Sequence, residues 1–433
     1  MASLVLQWLC HKQYSGLEIL VIFWFTKYGF EIPQLPKSLT CFAPSLQHLV
    51  IKDWLEDLSP SFPYVWLRDS CQSSPDCIHP TTSQKLHKTS DIPVDIRPIS
   101  NGVQLTDTGI QIDWTDGHKS HFLASFLEHH SSQKKLSEFH KDIAPQAWDH
   151  ASISSARDLF LPYESLRTQE GLLAAFTQIS ESGLLFVTGV PNKETLDETC
   201  ELPTLANFFG DIRSTFYGRV WDVRNVRNSR NIAYTNLDLG LHMDLLYFEH
   251  PPRYQILHCL RNKVHGGTSI FVDALSAANT LRETHPSDFD ILTTTPVAFH
   301  YINDGHHLHR EHPTIELASP ASGAPPGTIS HFNYSPPFQA PLPLSTPLEF
   351  YPALQRFAGL LNDPQNTYSY TLREGDAVFF DNRRVLHART AFSEIEGLGS
   401  EGETNRWLKG CYLEADDLMD RGRVLRTKLE SRA

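Results

Sequence analysis

Short apolar segments separated by glycine and proline turns constrain the fold of this chain more than any other feature. Segments such as LLFVTGVP (184–191), YQILHCL (254–260) and AVFFDN (377–382) have the length and residue types of buried β-strands. They do not alternate with helices in the regular βαβ order that a doubly wound sheet needs. The pattern therefore predicts a mainly β protein with helices, built as a jelly-roll or a barrel.

The local pattern divides the 433 residues into four parts. These are an N-terminal extension without an assigned role (1–45), a small β domain (46–126), a polar linker (127–163) and a larger domain (164–433). Within the extension, the apolar run LEILVIFWF (17–25) is too short to span a bilayer. We therefore expect no membrane span.

Two segments carry the prediction of a β-rich small domain. PYVWLRDSC (63–71) alternates apolar and polar residues, which favours a strand, and GIQIDWTDGHKSHF (109–122) has the pattern of a hairpin with its turn at Thr115-Asp116-Gly117. The larger domain is predicted to begin with a helix, because Leu172, Phe176 and Ile179 recur at helical spacing.

Composition excludes several classes of function. A formal net charge of −13 argues against general nucleic-acid binding, which needs a basic surface. The seven cysteines are few and mostly scattered, which indicates a reducing compartment rather than a disulfide framework. The chain has no basic signal-peptide region and no arginine before Arg68, so we expect a cytoplasmic protein, with mitochondria as the alternative. P-loop and nucleophile-elbow motifs are absent.

His242-Met243-Asp244 is the first motif with metal chemistry. On an extended strand, residues i and i+2 point to the same face, and an imidazole beside a carboxylate supplies two ligands of a 2-His-1-carboxylate site for non-haem Fe(II). His387, which ends an apolar strand after the DN turn in AVFFDNRRVLHARTAF (377–392), is the candidate third ligand. The alternative is a core histidine satisfied by backbone groups.

An arginine after the third ligand is the candidate anchor for a dicarboxylate co-substrate. Arg406 opens the strand RWLKGCYLEA (406–415), and its guanidinium fork fits a terminal carboxylate. The insert SEIEGLGSEGET (393–404) lengthens the interval from His387, so Arg389 is the alternative anchor. Either arginine could instead pair with a surface carboxylate.

Six ordered motifs resemble those of the taurine dioxygenase superfamily, and more closely the γ-butyrobetaine hydroxylase / trimethyllysine hydroxylase family. They are VWLRDSC, TFYGRVW, NIAYT with HMD, HCLRNKVHGGTSIFVDA, FFDNRRVLHARTAF and RWLKGCY. The resemblance implies a jelly-roll (double-stranded β-helix) dioxygenase domain that binds Fe(II) through His242, Asp244 and His387. It implies that Arg406, with Ser269 as a second contact, binds 2-oxoglutarate, and that O2 is consumed. Ascorbate is left open as an accessory cofactor.

The same resemblance implies an aromatic cage for a trimethylammonium group, built by Tyr217, Trp221, Tyr234 and Tyr412. The physics agrees, because a permanent cation without hydrogen-bond donors is held best by aromatic faces. Asn231 matches the amide of the butyrobetaine enzymes and would donate to a substrate carboxylate, with Asn333 as a second contact. Leu245 departs from the pattern, since the butyrobetaine enzymes have an aromatic residue there.

These residues predict hydroxylation of γ-butyrobetaine to L-carnitine, and a homodimer is left open. A trimethyllysine hydroxylase, a related oxygenase of another small acid and an inactive protein of the same fold are the alternatives. The histidine-rich run HYINDGHHLHREH (300–312) has no fixed ligand spacing, and we expect a solvated loop there rather than a second metal site.

Cys71, Cys77 and His118 match the zinc ligands of the family's small domain. Structural zinc takes four ligands, and serines stand where the butyrobetaine hydroxylases have a further cysteine. His79 or a water is expected to substitute for it. The alternative is a metal-free β domain with two inert thiols.

Overall fold

The structure is a computed structural model that describes residues 18–21, 39–45, 48–52, 60–73, 75–225, 232–319, 324–395 and 405–431. The chain forms two compact units, Met1–His140 and Lys141–Ala433. The boundary between them falls inside the segment predicted as a linker. No helix in these described ranges is long and apolar enough to cross a membrane.

The first unit contains two antiparallel sheets and short helices. Its strands are β1 (Glu18–Val21), β2 (Leu39–Ser45), β3 (His48–Lys52), β4 (Ser61–Pro63), β5 (Pro98–Leu105), β6 (Gly109–Trp114) and β7 (Lys119–Leu123), and its helices are α1 (Tyr64–Asp69), α2 (Ala124–His129) and α3 (Gln133–Phe139). The sheet orders are β1-β2-β3-β4 and β5-β6-β7. Ile110, Ile112 and Trp114 all face the core of this unit, as the predicted hairpin requires.

The strand predicted in PYVWLRDSC is wrong, because this segment forms helix α1. Tyr64 and Leu67, three residues apart, are its two buried side chains, and this spacing brings both to one side of a helix. Pro63 precedes the first helical residue, where a missing N–H costs nothing. The segment therefore has both an apolar–polar alternation and an apolar pair at helical spacing. Burial of that pair in the core selects the helix.

The second unit contains seventeen described strands and seven described α-helices. The strands are β8 (Phe160–Pro162), β9 (Leu184–Thr188), β10 (Ile212–Arg213), β11 (Trp221–Arg224), β12 (Leu239–His242), β13 (Tyr254–Asn262), β14 (Val264–Gly266), β15 (Ser269–Asp273), β16 (Pro296–Asn303), β17 (His306–Pro313), β18 (Ile315–Leu317), β19 (Ile329–Phe332), β20 (Thr367–Tyr370), β21 (Ala377–Asp381), β22 (Val385–Arg389), β23 (Phe392–Glu394) and β24 (Arg406–Leu413). The helices are α4 (His150–Ser154), α5 (Gln169–Ser182), α6 (Leu202–Asn207), α7 (Ala274–Thr284), α8 (Pro286–Thr294), α9 (Phe350–Leu361) and α10 (Ala415–Glu430).

Two sheets enclose the main core of this unit. One has the order β10-β24-β13-β21-β9-β8, with β11 also paired to β24, and the other has the order β12-β22-β15-β20. Phe186 and Phe380 from the first sheet share one buried cluster with Leu241 and Phe271 from the second. This arrangement confirms the predicted jelly-roll.

Helices cover the other face of the larger sheet. The predicted helix is α5, which buries Phe176 and Ile179 against Phe379 and its neighbours on the sheet. It ends at Gly183, which has φ 71°, a left-handed conformation that suits glycine at the end of a helix.

The segment AVFFDNRRVLHARTAF forms two strands, β21 and β22, joined by a turn at 382–384, as its DN pair indicates. One local prediction is corrected. The histidine-rich run is the β16–β17 hairpin rather than a loop. Its turn is Asp304-Gly305, with φ 48° and 80°, and such an Asp-Gly pair is a strong hairpin signal that the sequence contained.

A buried ion pair holds the turn between β21 and β22. Arg384 donates from Nε and Nη2 to the two carboxylate oxygens of Asp273, at 2.9 and 2.7 Å. Both side chains are buried, and Asp273 also accepts from the backbone N–H groups of Trp148 and Leu275. The pair thus links the turn that precedes His387 to the end of β15.

We expect Arg384→Met to lower the free energy of unfolding by about 3–5 kcal/mol, because it leaves the Asp273 carboxylate buried without its cation. Arg356→Met is the matched control, since Arg356 pairs with Asp288 at the surface and such pairs contribute about 0–1 kcal/mol. Urea unfolding followed by circular dichroism measures both. Equal stability of the two variants would contradict the importance of the buried pair.

Candidate active site

The two histidines of the predicted triad face each other across neighbouring strands. His242 ends β12 and is the direct partner of His387 on β22, and their ring centroids are 4.1 Å apart. Asp244 Oδ1 lies 3.5 Å from His242 Nε2. One ligand atom from each of the three residues lies within 4.8 Å of the other two. The structure therefore brings together the three residues that the sequence predicted.

Asp244 is not on the strand, which corrects the i, i+2 argument. β12 ends at His242, and Leu245 has φ 61°, a left-handed conformation that is rare for a branched residue. Strain of this kind persists only where the surroundings enforce it. A chain reversal after the histidine, rather than the strand pleat, brings the carboxylate to the imidazoles.

Asn382 enforces this backbone, and the sequence analysis did not single it out. Its side-chain amide accepts from the Asp244 N–H at 2.8 Å and donates to the Asp244 carbonyl at 3.0 Å. It also donates to the carbonyl of Pro252, and its side chain is fully buried. The signal was the DN turn in the motif FFDNRR, which had been treated only as a turn.

The electrostatics of the triad suit a divalent metal. His242 Nδ1 donates to the carbonyl of Gly240 at 2.8 Å, which turns Nε2 toward Asp244. Burial lowers the pKa of His387 to about 3, so this imidazole is neutral at pH 7. Burial opposes ionisation of Asp244, but the neighbouring His242 and His387 outweigh it and hold the pKa of its carboxyl well below the usual range. Two imidazoles and one carboxylate form the donor set that Fe(II) takes in oxygenases with open coordination positions.

An open cavity of about 450 Å³ contains His242 and Asp244 in its wall. All four predicted cage residues, Tyr217, Trp221, Tyr234 and Tyr412, line it. The ring of Trp221 lies 5.2 Å from that of Tyr412 and 6.4 Å from that of Tyr217. The structure therefore gathers the aromatic residues around the two ligands that the cavity exposes.

The remaining lining residues are apolar or aromatic, and the sequence analysis missed most of them. They are Val223, Ala233, Leu239, Leu245, Tyr247 and Phe338. Leu245, noted as a departure from the family, lines the cavity directly after Asp244. Phe338 comes from a Pro-rich segment without regular periodicity, so no local pattern marked it.

Asn231 and Asn333 were the two predicted contacts of the substrate carboxylate. Asn231 lies outside the described residues. Asn333 is fully buried, donates to the carbonyl of Pro313 at 2.7 Å and accepts from Arg383 at 2.9 Å. It is not among the cavity-lining residues, and its amide is engaged inside the protein. A substrate contact by Asn333 is therefore wrong for this structure.

Two buried arginines lie close to the triad. Arg389 shares a face of β22 with His387, and its backbone partner on β15 is Ser269. The guanidinium carbons of Arg389 and Arg406 lie 5.0 and 5.3 Å from the centre of the Phe392 ring. Ser269 is thus the strand partner of Arg389, and Arg389 and Arg406 contact the same aromatic ring.

The two arginines share one feature, a buried Nε without a hydrogen-bond partner among the described residues. Arg389 also donates from Nη1 and Nη2 to the carbonyls of Ala233 and Leu237. Burial and the neighbouring Arg389 lower the pKa of Arg406 to about 10, so it remains cationic at pH 7. Either arginine could therefore bind an anion, and Arg406 stays the predicted anchor with Arg389 as the alternative.

Gly267 makes room for this arginine. A Cβ atom there would lie 2.9 Å from Arg406 Nε, and its φ of 68° also suits glycine. The GG pair of the motif HGGTSIF therefore has a specific steric reason beside the anion anchor.

The small unit contains a second cluster of ligand atoms. Cys71 Sγ and Cys77 Sγ lie 3.2 and 3.3 Å from His118 Nε2. Zinc bonds of about 2.0 and 2.3 Å at a tetrahedral angle separate such atoms by about 3.5 Å. Burial, with the hydrogen bond to Cys71, raises the pKa of the Cys77 thiol to about 12, and burial lowers the pKa of His118. The donor set fits zinc, which would deprotonate both thiols.

His79 does not complete this cluster among the residues that the structure describes. Its Nδ1 accepts from backbone N–H groups of the turn that follows it. The structure therefore does not support His79 as the fourth ligand. A water, the other candidate from the sequence, stays a prediction.

Comparison with known proteins defines the class. Residues 150–412 match the taurine catabolism dioxygenase TauD, TfdA family, and residues 45–128 match the gamma-butyrobetaine hydroxylase-like, N-terminal family. The chain belongs to the TauD, TfdA family and is an Fe(II)- and 2-oxoglutarate-dependent dioxygenase.

Relatives place the chain more narrowly. It is 57% identical over 370 residues to Dioxygenase str8 of Strobilurus tenacellus, covering 85% of this chain and 86% of that protein. It is 31% identical to gamma-butyrobetaine dioxygenase of Pseudomonas sp. (strain AK-1), covering 86% and 92%. It is 30% identical to trimethyllysine dioxygenase, mitochondrial, of Gallus gallus, covering 90% and 89%. The resemblance to the γ-butyrobetaine hydroxylase / trimethyllysine hydroxylase family is thus confirmed.

We expect the purified chain to contain about one zinc ion, as a single structural site of this donor set predicts. Cys77→Ser should lose the metal, because a hydroxyl replaces a thiolate ligand. Cys200→Ser, at another buried free cysteine, is the control and should keep it. Elemental analysis after dialysis measures the metal. A zinc-free wild-type chain, also after zinc addition, would favour the alternative of two inert thiols.

Proposed function

We propose that this dioxygenase hydroxylates γ-butyrobetaine at C3 to give L-carnitine. The observation that carries the proposal is the aromatic cavity that contains His242 and Asp244 in its wall. Aromatic faces attract a quaternary ammonium group, which offers no hydrogen-bond donor, with about 0.5–2 kcal/mol per contact. The names of the relatives at about 30% identity support this substrate class.

In this proposal His242, Asp244 and His387 hold the iron, and Arg406 with Ser269 holds the distal carboxylate of 2-oxoglutarate. The bound iron and 2-oxoglutarate would supply the oxidising chemistry, in which O2 gives one oxygen atom to the substrate and one to succinate as CO2 is released. Arg406 remains charged in its buried position, so it can pair with a carboxylate at low local dielectric.

The protein itself supplies orientation and shielding. The cavity-lining tyrosines stay protonated at pH 7, since burial, helped by Asp244, raises the pKa of Tyr234 to about 12. These tyrosines therefore do not ionise near pH 7, and their ring faces stay available to a cation. The apolar residues around them exclude water and fix which C–H bond of the substrate lies toward the iron ligands.

A second candidate is hydroxylation of a different small substrate at the same site. Leu245 replaces the family's aromatic residue in the cavity wall, and the described lining contains neither an amide nor a basic side chain other than His242. That wall suits a substrate with more apolar surface and no carboxylate contact there. The relative at 57% identity has a name that specifies no substrate.

The test is reconstitution with Fe(II) and 2-oxoglutarate without O2, followed by O2 together with γ-butyrobetaine or trimethyllysine. We expect L-carnitine by mass spectrometry and succinate in equal amount. His242→Ala and Asp244→Ala should abolish succinate formation, because each removes a metal ligand. Coupled turnover of trimethyllysine alone, or of neither compound, would contradict the proposed substrate, and full turnover by either variant would contradict the triad.

Arg406→Met should raise the KM for 2-oxoglutarate about 10- to 100-fold, since hydrogen bonds to a charged group contribute about 1.5–3 kcal/mol. The KM for γ-butyrobetaine should stay the same, because the arginine lies outside the aromatic cavity. Arg356→Met, at the surface, is the control. Steady-state succinate assays measure both constants, and an unchanged KM for 2-oxoglutarate would assign the carboxylate to another residue.

A further inference from the structure

Tyr412 touches both the cavity and the carboxylate of the metal triad. Its ring lines the cavity and packs beside Trp221. Its hydroxyl donates to Asp244 Oδ2 at 3.0 Å, while the other carboxylate oxygen, Oδ1, is the one that lies 3.5 Å from His242 Nε2. The side chain is 3% exposed, so water does not compete for this hydrogen bond.

We propose that Tyr412 is a positioning residue for Asp244, acting through its hydroxyl in addition to any contact of its ring with substrate. The hydroxyl occupies Oδ2, so that Oδ1 alone is directed toward the metal position beside His242. This inference rests on the iron site of the proposed function.

Two anchors then hold Asp244 from different sides. Asn382 binds its backbone N–H and carbonyl, which fixes the Cα position and the strained turn at Leu245. The two side-chain torsions of Asp244 remain free to rotate after that. The hydrogen bond from Tyr412 restricts them, because a buried tyrosine on β24 has a fixed place in the sheet.

The hydrogen bond from Tyr412 to Asp244 affects how many coordination positions on the iron would stay open for reactants. An octahedral iron held by two imidazoles and one carboxylate oxygen would keep three open positions, the number that a two-oxygen chelate of 2-oxoglutarate and O2 would need. A carboxylate that used both oxygens would occupy one of them. By engaging Oδ2, Tyr412 favours the one-oxygen mode and keeps the third position open. Partners of metal ligands typically change metal affinity or activity by about 10- to 100-fold when they are lost.

Tyr412→Phe is the discriminating variant, since it keeps the ring and removes only the oxygen. Tyr217→Phe is the matched control, because it makes the same change in another tyrosine of the same cavity, whose hydroxyl lies 3.5 Å from that of Tyr247. Fe(II) is titrated without O2 into each protein at saturating 2-oxoglutarate, and the visible charge-transfer band of the chelate reports both affinity and ligand field. Substrate affinity is then measured separately at saturating Fe(II).

We expect Tyr412→Phe to raise the Kd for Fe(II) about 10-fold or more and to shift the band. Its substrate affinity should stay within about twofold of the wild type, because the aromatic face is retained. Tyr217→Phe should keep the wild-type Kd and band. Wild-type values for Tyr412→Phe, or an equal change in Tyr217→Phe, would overturn the positioning role. A wild-type chain that binds no Fe(II) would instead contradict the proposed function.

Thermal unfolding of the metal-free variants checks the fold. If Tyr412→Phe does not fold, 3,5-difluorotyrosine at position 412 keeps the ring and makes the hydroxyl a stronger donor. The band of that protein should then shift relative to the wild type. An unchanged band would overturn the proposal by this second route.

Discussion

The register of β12 against β22 is the constraint on which the candidate site depends. It sets His242 directly opposite His387, and β15 continues the same sheet by pairing Phe271 with His387. A slip of one residue would turn the His387 side chain to the other face of the sheet, because strand side chains alternate. The ion pair of Arg384 with Asp273 and the amide of Asn382 both hold the turn from which β22 begins.

The same turn serves the metal site and the fold. Asn382 and Arg384 are two residues apart, and one is bonded to the backbone of the metal ligand Asp244 while the other is bonded to the end of β15. Burying such polar groups is costly unless each finds its partner. Because these partners come from three distant segments, the turn forms correctly only when the whole sheet has formed. The ligand geometry is therefore pre-organised by the core rather than by the metal alone.

The two buried arginines near the site are only partly paired. Arg389 and Arg406 each keep a buried Nε without a partner in the described ranges, although Arg389 also donates to backbone carbonyls. An incompletely paired buried cation disfavours folding and favours binding of an anion that supplies the missing partner. A bound anion would supply that partner, and Gly267 leaves room beside Arg406, where a side chain would collide with it.

The class of this protein follows from its sequence, because the metal ligands, the candidate anion anchor and four cavity aromatics lie in short motifs with distinctive residues. The sequence also determined the hairpin at 109–122 and the helix that ends at Gly183, where periodicity and turn residues agree. The tertiary structure alone decided that 64–69 is a helix, that Asp244 lies beyond its strand and that Asn333 faces the interior. It also selected Phe338 and Tyr247 as cavity walls and gave Tyr412 a hydrogen bond to Asp244. The physical reason is that local patterns encode burial and turns, whereas the direction of a side chain after a reversal depends on partners distant in the chain.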